Sequence, residues 1–163
     1  MTAFVRACLA QLMIAETAVP PVGETRMLIV DDETSVCLYV ERVLRRFGYQ
    51  PVLASCGDEA LQKAAVMGHL DVLVTDLMMP AMNGDELARQ LRMRHPDLKV
   101  LYLTGFSDRL FAEKVTLWDG EAFLDKPCSI TGLGEAVSLL AYGRLGQPAP
   151  SEVESQSVPA VWT

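Results

Sequence analysis

The sequence has no apolar run approaching the ~20 residues that a membrane-spanning helix needs, so a membrane partner is not expected. It has no run of Lys or Arg of any length, and its formal net charge is −7 with a pI of about 4.8. Phosphate backbones are bound by basic stripes, so a nucleic-acid partner is not expected either. Cys8, Cys37, Cys56 and Cys128 form no C-x-x-C pair and keep no metal-ligand spacing. His69 and His95 stand alone, which argues against zinc and for solvated or packed imidazoles. Free thiols suit a reducing, cytoplasmic address. No segment repeats. GLGEAV (Gly132 to Val137) lacks the third glycine of a dinucleotide loop and does not open a strand-to-helix turn. DLMMPAMNGDE lacks the alternating oxygen ligands of a calcium loop.

What is present is alternation. The 163 residues are half apolar, enough for one domain with length to spare. Between Arg26 and Gly143 the runs MLIV, PVLA, DVLVT, KVLYLT and EAFL fit buried strands, and helix-patterned stretches separate them. Thr34 to Phe47 puts Val36, Val40, Val43, Leu44 and Phe47 on one face, and Gly48 supplies a stop. Asp58 to Met67 carries Leu61, Ala64 and Ala65; Asp85 to Arg94 carries Leu87 and Leu91, with Pro96 ending it. Ser107 can cap a helix containing Leu110, Phe111 and Val115, and Ile130, Leu133, Val137 and Leu140 mark a last one. Such βα units predict an α/β fold, a parallel sheet covered by helices on both faces. Right-handed crossovers narrow the topology to doubly wound forms.

The ends differ from this body. In residues 1–25, Phe4, Val5, Cys8, Leu9, Leu12 and Met13 recur at helical spacing before Pro20, Pro21 and Gly23 break the pattern. Arg6 and an apolar stretch have the outline of a signal peptide, but Gln11 interrupts it. A short helix or an upstream extension is the preferred reading. Residues 144–163 are rich in Pro, Ser and Glu without periodicity, which predicts a disordered tail around Trp162.

Polar residues gather where the apolar runs stop. Asp31, Asp32 and Glu33 follow MLIV, Asp76 follows DVLVT, Thr104 ends KVLYLT and Lys126 follows EAFL. Ligands of doubly wound sheets bind outside the carboxyl ends of the strands, so these side chains can converge on one pocket. Two carboxylates about 4 Å apart repel by roughly 4 kcal/mol at an effective dielectric of 20, so a cation, a lysine or solvent must offset them. Oxygen ligands alone suggest a hard ion such as Mg²⁺. With the lysine and the threonine hydroxyl beside them, they suit a phosphoryl group, with Asp76 as nucleophile.

LIVDDE, LVTDLMMPAMNG, LYLTG and FLDKP, in that order and spacing from about Arg26 to Tyr142, resemble the receiver domain of two-component response regulators, the chemotaxis-type fold. The resemblance implies a flavodoxin-like five-stranded sheet of order 2-1-3-4-5 for residues 26–143. It implies that Asp31 or Asp32, Asp76 and the backbone carbonyl of Met78 hold Mg²⁺, with Asp32 binding directly and Asp31 partly through water. Asp76 would accept a phosphoryl group from a histidine kinase or a histidine phosphotransfer protein, and Thr104 and Lys126 would grip its oxygens. The Lys126–Pro127 bond is often cis in the family, Phe123 holds the position of the switch aromatic, and Gly105 leaves the donor a path. Phosphorylation would add roughly one to two negative charges at Asp76, draw Thr104 in and let Phe123 turn inward. That would reshape the face made by the Ser107 helix, the EAFL strand and the last helix. Met78 and Phe106, two residues after Asp76 and Thr104, are apolar and predict slow self-dephosphorylation.

Three functions compete. A phosphoacceptor module would act by protein contact, as a single-domain regulator or a phosphorelay intermediate, because the chain ends soon after the last helix. It would catalyse only its own phosphoryl transfer and dephosphorylation, reach a downstream protein target, and be open to a phosphorylation-dependent dimer. A doubly wound phosphatase with an aspartyl nucleophile would want a second acid two residues after Asp76, where Met78 stands. A binding module whose phosphorylation has lapsed would not keep these pocket residues.

Overall fold

The structure is a computed structural model that describes residues 24–105 and 119–143. The expected N-terminal helix, the Ser107 helix with Phe111 and Trp118, Phe106 and the C-terminal tail lie outside the described residues, apart from Glu24 and Thr25. The described elements run β1 (Met27–Val30), α1 (Thr34–Arg46), β2 (Val52–Ala54), α2 (Gly57–Met67), β3 (Val72–Asp76), α3 (Gly84–Arg92), β4 (Lys99–Thr104), β5 (Glu121–Asp125) and α4 (Ile130–Tyr142). The strands form one parallel sheet in the order β2-β1-β3-β4-β5, the topology expected from the resemblance.

Both faces of the sheet are covered, which is why its strands read as continuous apolar runs. Leu28, Val30, Leu73, Val100 and Tyr102 point to the side where Ala60 and Ala64 of α2 and Leu87, Ala88 and Leu91 of α3 pack. Met27, Ile29, Val72, Val74, Leu101 and Leu103 point to the other, against Cys37, Val40, Val43 and Leu44 of α1 and Leu133 and Val137 of α4. The α1 stripe includes Cys37, which is 4% exposed and had no assigned place in the sequence pattern.

Local signals set the ends of these elements. Gly48 takes φ +87° just past α1, and the N–H of Tyr49 returns to the Leu44 carbonyl at 3.1 Å. Tyr49 then stacks on Tyr142 with ring centroids 6.3 Å apart, and its hydroxyl meets Ser138 Oγ at 3.2 Å. Ser129 caps α4 by accepting the Gly132 N–H at 3.0 Å, a cap the sequence pattern did not assign. GLGEAV proves to be a packing site. A Cβ at Gly134 would lie 2.0 Å from Cζ of Phe47, so α4 seats on the end of α1 only because no side chain intervenes.

Two features were not anticipated. Glu121 opens β5 with its side chain 1% exposed, and it accepts from Arg92 Nη1 at 2.6 Å and from the Tyr102 hydroxyl at 3.1 Å. His69 and His95 do not stand alone. The connections entering the adjacent strands β3 and β4 both arrive at the amino edge of the sheet, and they bring the two rings to a centroid separation of 6.2 Å.

The Phe47 contact gives a stability test. Gly134→Ala should destabilise the fold by about 1–2 kcal/mol, because overpacking outweighs the helix-propensity gain of alanine. Urea denaturation should show a lower midpoint, and Phe47→Leu in the same chain should recover part of the loss. An unchanged midpoint would mean that the ring moves aside freely.

Candidate functional site

The carboxyl ends of β1, β3, β4 and β5 meet at one rim, and the side chains singled out in the sequence converge there. Asp31 follows β1 directly and is 2% exposed; its Oδ1 accepts the Glu33 N–H at 2.9 Å. Its Oδ2 accepts a hydrogen bond from Lys126 Nζ at 2.7 Å. The same ammonium lies 3.4 Å from Oδ1 of Asp76, the last residue of β3. Asp32 is exposed, and Asp31, Asp32 and Asp76 each bring an oxygen within 4.8 Å of the others. The repulsion among these acids is therefore met in part by Lys126.

Backbone contacts hold the rim. The N–H of Lys126 donates to the Thr104 carbonyl at 2.9 Å, which ties the end of β5 to the end of β4, and the Lys126–Pro127 peptide is cis. Thr104 is 1% exposed. The loop after Asp76 folds back, with the Gly84 N–H donating to the Leu77 carbonyl at 2.9 Å. A Cβ at Gly84 would lie 2.2 Å from the Asp76 carbonyl oxygen, so only glycine permits this close crossing. Ala81 in the same loop takes φ +68°, the one positive φ outside glycine among the described residues. A left-handed residue of this kind costs on the order of 1 kcal/mol.

Beneath the rim, the Cys37 thiol donates to the Asp31 carbonyl at 3.4 Å, and burial, reinforced by the Asp31 charge, pushes it up to about 11. Such a thiol is a packing group and not a nucleophile. Burial also raises the Asp76 carboxyl above the usual range; Asp31 and Asp32 push the same way and Lys126 pulls back. For Lys126, burial opposes the charge, but the hydrogen bond to Asp31 and the two carboxylates prevail and raise it.

The remaining sequence candidates divide. Phe123 is half-buried, pairs in register with Tyr102 and packs on the α2–α3 side of the sheet. Met78 has 41% of its surface exposed, and no atom of the described residues lies within 4 Å of the place a Cβ would take at Gly105. An all-oxygen set of three carboxylates fits a hard divalent ion such as Mg²⁺. What sequence reasoning missed is Gly84, whose role depends on a backbone crossing that no spacing reveals.

Residues 27–138 match the response regulator receiver domain. The chain belongs to this family. It is 35% identical over 116 residues to the sensor kinase CckA of Brucella abortus, covering 71% of this chain and 12% of that one. It is 36% identical over 139 residues to the alkaline phosphatase synthesis transcriptional regulatory protein PhoP of Bacillus subtilis, covering 82% and 57%. The chain thus spans less than two thirds of the length of these curated relatives. Among solved structures, the receiver domain of the hybrid histidine kinase CckA is similar with a TM-score of 0.61 at 32% identity, covering 71% of this chain and 98% of that one. The chemotaxis protein CheY4 of Vibrio cholerae is similar with a TM-score of 0.60 at 28% identity, over the same shares. No helix among the described residues of this receiver is long and apolar enough to cross a membrane.

The raised Asp76 carboxyl has a signed consequence. Below the ordinary Asp value both folded and unfolded chains hold the proton, and nothing is lost; as pH climbs from there through the raised folded value, stability falls. In magnesium-free buffer, Asp76→Asn should therefore be more stable than the parent at pH 7, with the gap narrowing as pH drops toward the ordinary Asp range. Thermal unfolding across pH checks this, and a parent as stable as the variant at pH 7 would contradict it.

Proposed function

We propose that this receiver is a phosphoacceptor that takes a phosphoryl group on Asp76 from a phosphohistidine donor and changes a protein-contact face in response. The observation that carries the reading is Lys126, whose ammonium reaches both Asp31 and Asp76, at 2.7 and 3.4 Å, inside a set of three acids. An Asp76 carboxylate oxygen attacks phosphorus, the P–N bond of the donor breaks, and its electron pair stays on the imidazole nitrogen. Lys126 is already placed to meet charge on the incoming oxygens, and the Thr104 hydroxyl serves as a donor to one of them. Asp31, Asp32 and Asp76 with the Met78 carbonyl would hold Mg²⁺, which would supply further positive charge against those oxygens.

An apolar rim beside the site fits a protein donor. Leu38 and Tyr39 of α1 and Ile130 at the start of α4 are 49%, 40% and 41% exposed. The Tyr39 hydroxyl donates to the Cys128 carbonyl at 2.8 Å, which joins α1 to the loop after Lys126. A histidine kinase or a histidine phosphotransfer protein is the partner proposed for this rim, in a cytoplasmic setting. After transfer, Thr104 and Phe123 would move together, and the face around β5 and α4 would meet a downstream protein or a second copy of the chain. We assign no turnover of outside substrates, since Met78 stands where an aspartyl phosphatase wants its second acid.

Incubation with Mg²⁺ and acetyl phosphate should add one phosphoryl group by intact mass, and Asp76→Ala should add none. Phosphoryl incorporation that persists in Asp76→Ala would refute the assignment. Lys126→Ala should slow the reaction by about 10²-fold or more, as the loss of a positioned charge in a transition state does. The phosphoryl group should last minutes or longer, and Met78→Glu should shorten its life; a half-life of seconds in the parent counts against the role given to Met78. Leu38→Asp should weaken transfer from a phosphohistidine protein while leaving acetyl phosphate labelling intact. Equal loss with both donors would remove α1 from the donor face.

A further inference from the structure

The amino edge of the sheet, at the opposite ends of the strands from the acid cluster, holds a second group of ligating side chains. His69 precedes β3 and His95 precedes β4. Nε2 of His69 lies 2.8 Å from Oδ1 of Asp71, and the other oxygen of Asp71 is fixed by the Arg26 N–H at 2.8 Å. His95 is only 6% exposed, yet its imidazole makes no hydrogen bond among the described residues, and its nitrogens keep solvent contact. The ring is packed while its nitrogens face water, so they are open to an incoming ligand and not committed to a protein partner.

The pairing has the form of a metal site. An imidazole held at one nitrogen by a carboxylate is oriented to offer the other nitrogen to an ion. Two imidazoles bound to one tetrahedral ion through bonds of about 2.0–2.1 Å have ring centres roughly 5 Å apart, so the rings must close by about 1 Å to share one. The His69 and His95 centroids are 6.2 Å apart, with the rings edge-on at 72°. As the side chains stand, the ligand atoms of His69, Asp71 and His95 do not all fall within 4.8 Å of one another, a spacing that only the acid cluster meets among the described residues. The His69 side chain is 62% exposed, so solvent leaves room for the His69–Asp71 pair to shift toward His95.

We propose that His69 and His95, with Asp71 behind His69, bind a divalent transition-metal ion of the Zn²⁺, Ni²⁺ or Cu²⁺ type, with water completing the shell. Imidazole ligands suit these ions, whereas the all-oxygen acid cluster suits Mg²⁺, so the two ends of the sheet sort cations by chemistry. Burial and the neighbouring His69 and Arg94 lower the His95 imidazole below its ordinary value, the direction that favours a neutral ligand. The Arg94 charge also works against a dication and keeps the affinity moderate.

The test is a calorimetric titration of the full chain with ZnCl₂ in excess Mg²⁺, which saturates the acid cluster. The parent should take up one Zn²⁺ at these residues. His69→Ala, a change at an exposed side chain that leaves the fold alone, should weaken uptake by about tenfold or more, and Asp71→Asn by about tenfold. His95→Gln should abolish it with the circular dichroism spectrum retained. Zinc bound equally well by the parent and His69→Ala would place the ion on the thiols or the acids and overturn the proposal. So would a parent that takes up no zinc at millimolar concentration.

Discussion

The arrangement of the rim rests on one interaction, the hydrogen-bonded ion pair between Lys126 and the buried Asp31. Removing a carboxylate from water costs several kcal/mol unless a cation and hydrogen bonds compensate it. Asp31 has both: the Lys126 ammonium on one oxygen and the Glu33 N–H on the other. The pair joins the first strand to the last across the sheet, with β3 and β4 between them. It leaves the ammonium 3.4 Å from Asp76, while the exposed Asp32 keeps the cluster open to solvent.

The fold makes this pairing available with little local design. A parallel sheet covered on both sides must bring every strand out at the same end, so residues far apart in sequence arrive at one rim. Asp31 and Lys126 are adjacent for that reason. The register then refines the placement: Asp76 sits opposite Leu103, and Thr104 opposite Asp125. The loop after Asp76 adds close packing, with Gly84 admitting the Asp76 carbonyl and Ala81 held in a left-handed turn.

Much of this was legible because it follows from patterns that sequence carries directly. Apolar runs of strand length, helical spacing between them and polar residues at their ends gave the five strands, their covered faces and the gathering of Asp31, Asp76, Thr104 and Lys126. Contacts that depend on where two backbones cross were not legible. Gly134 and Gly84 look like ordinary loop or helix glycines until Phe47 and the Asp76 carbonyl are placed against them. Glu121 read as the polar start of a strand, since nothing near it in sequence reveals that Arg92 and Tyr102 will enclose it. The meeting of His69 and His95 was hidden for the same reason, because it depends on β3 and β4 being neighbours.

The enclosed Glu121 bears on the rim from its far side. A slip of β5 by one residue against β4 would turn this carboxylate to the opposite face, away from Arg92 and Tyr102, and strand a charge in the apolar layer. Five residues on, at about 3.3 Å per residue, the same slip would carry the ammonium of Lys126 off Asp31 and Asp76. Glu121 thus acts as a key at the foot of the strand, setting from about 16 Å away where the charge at its head comes to rest.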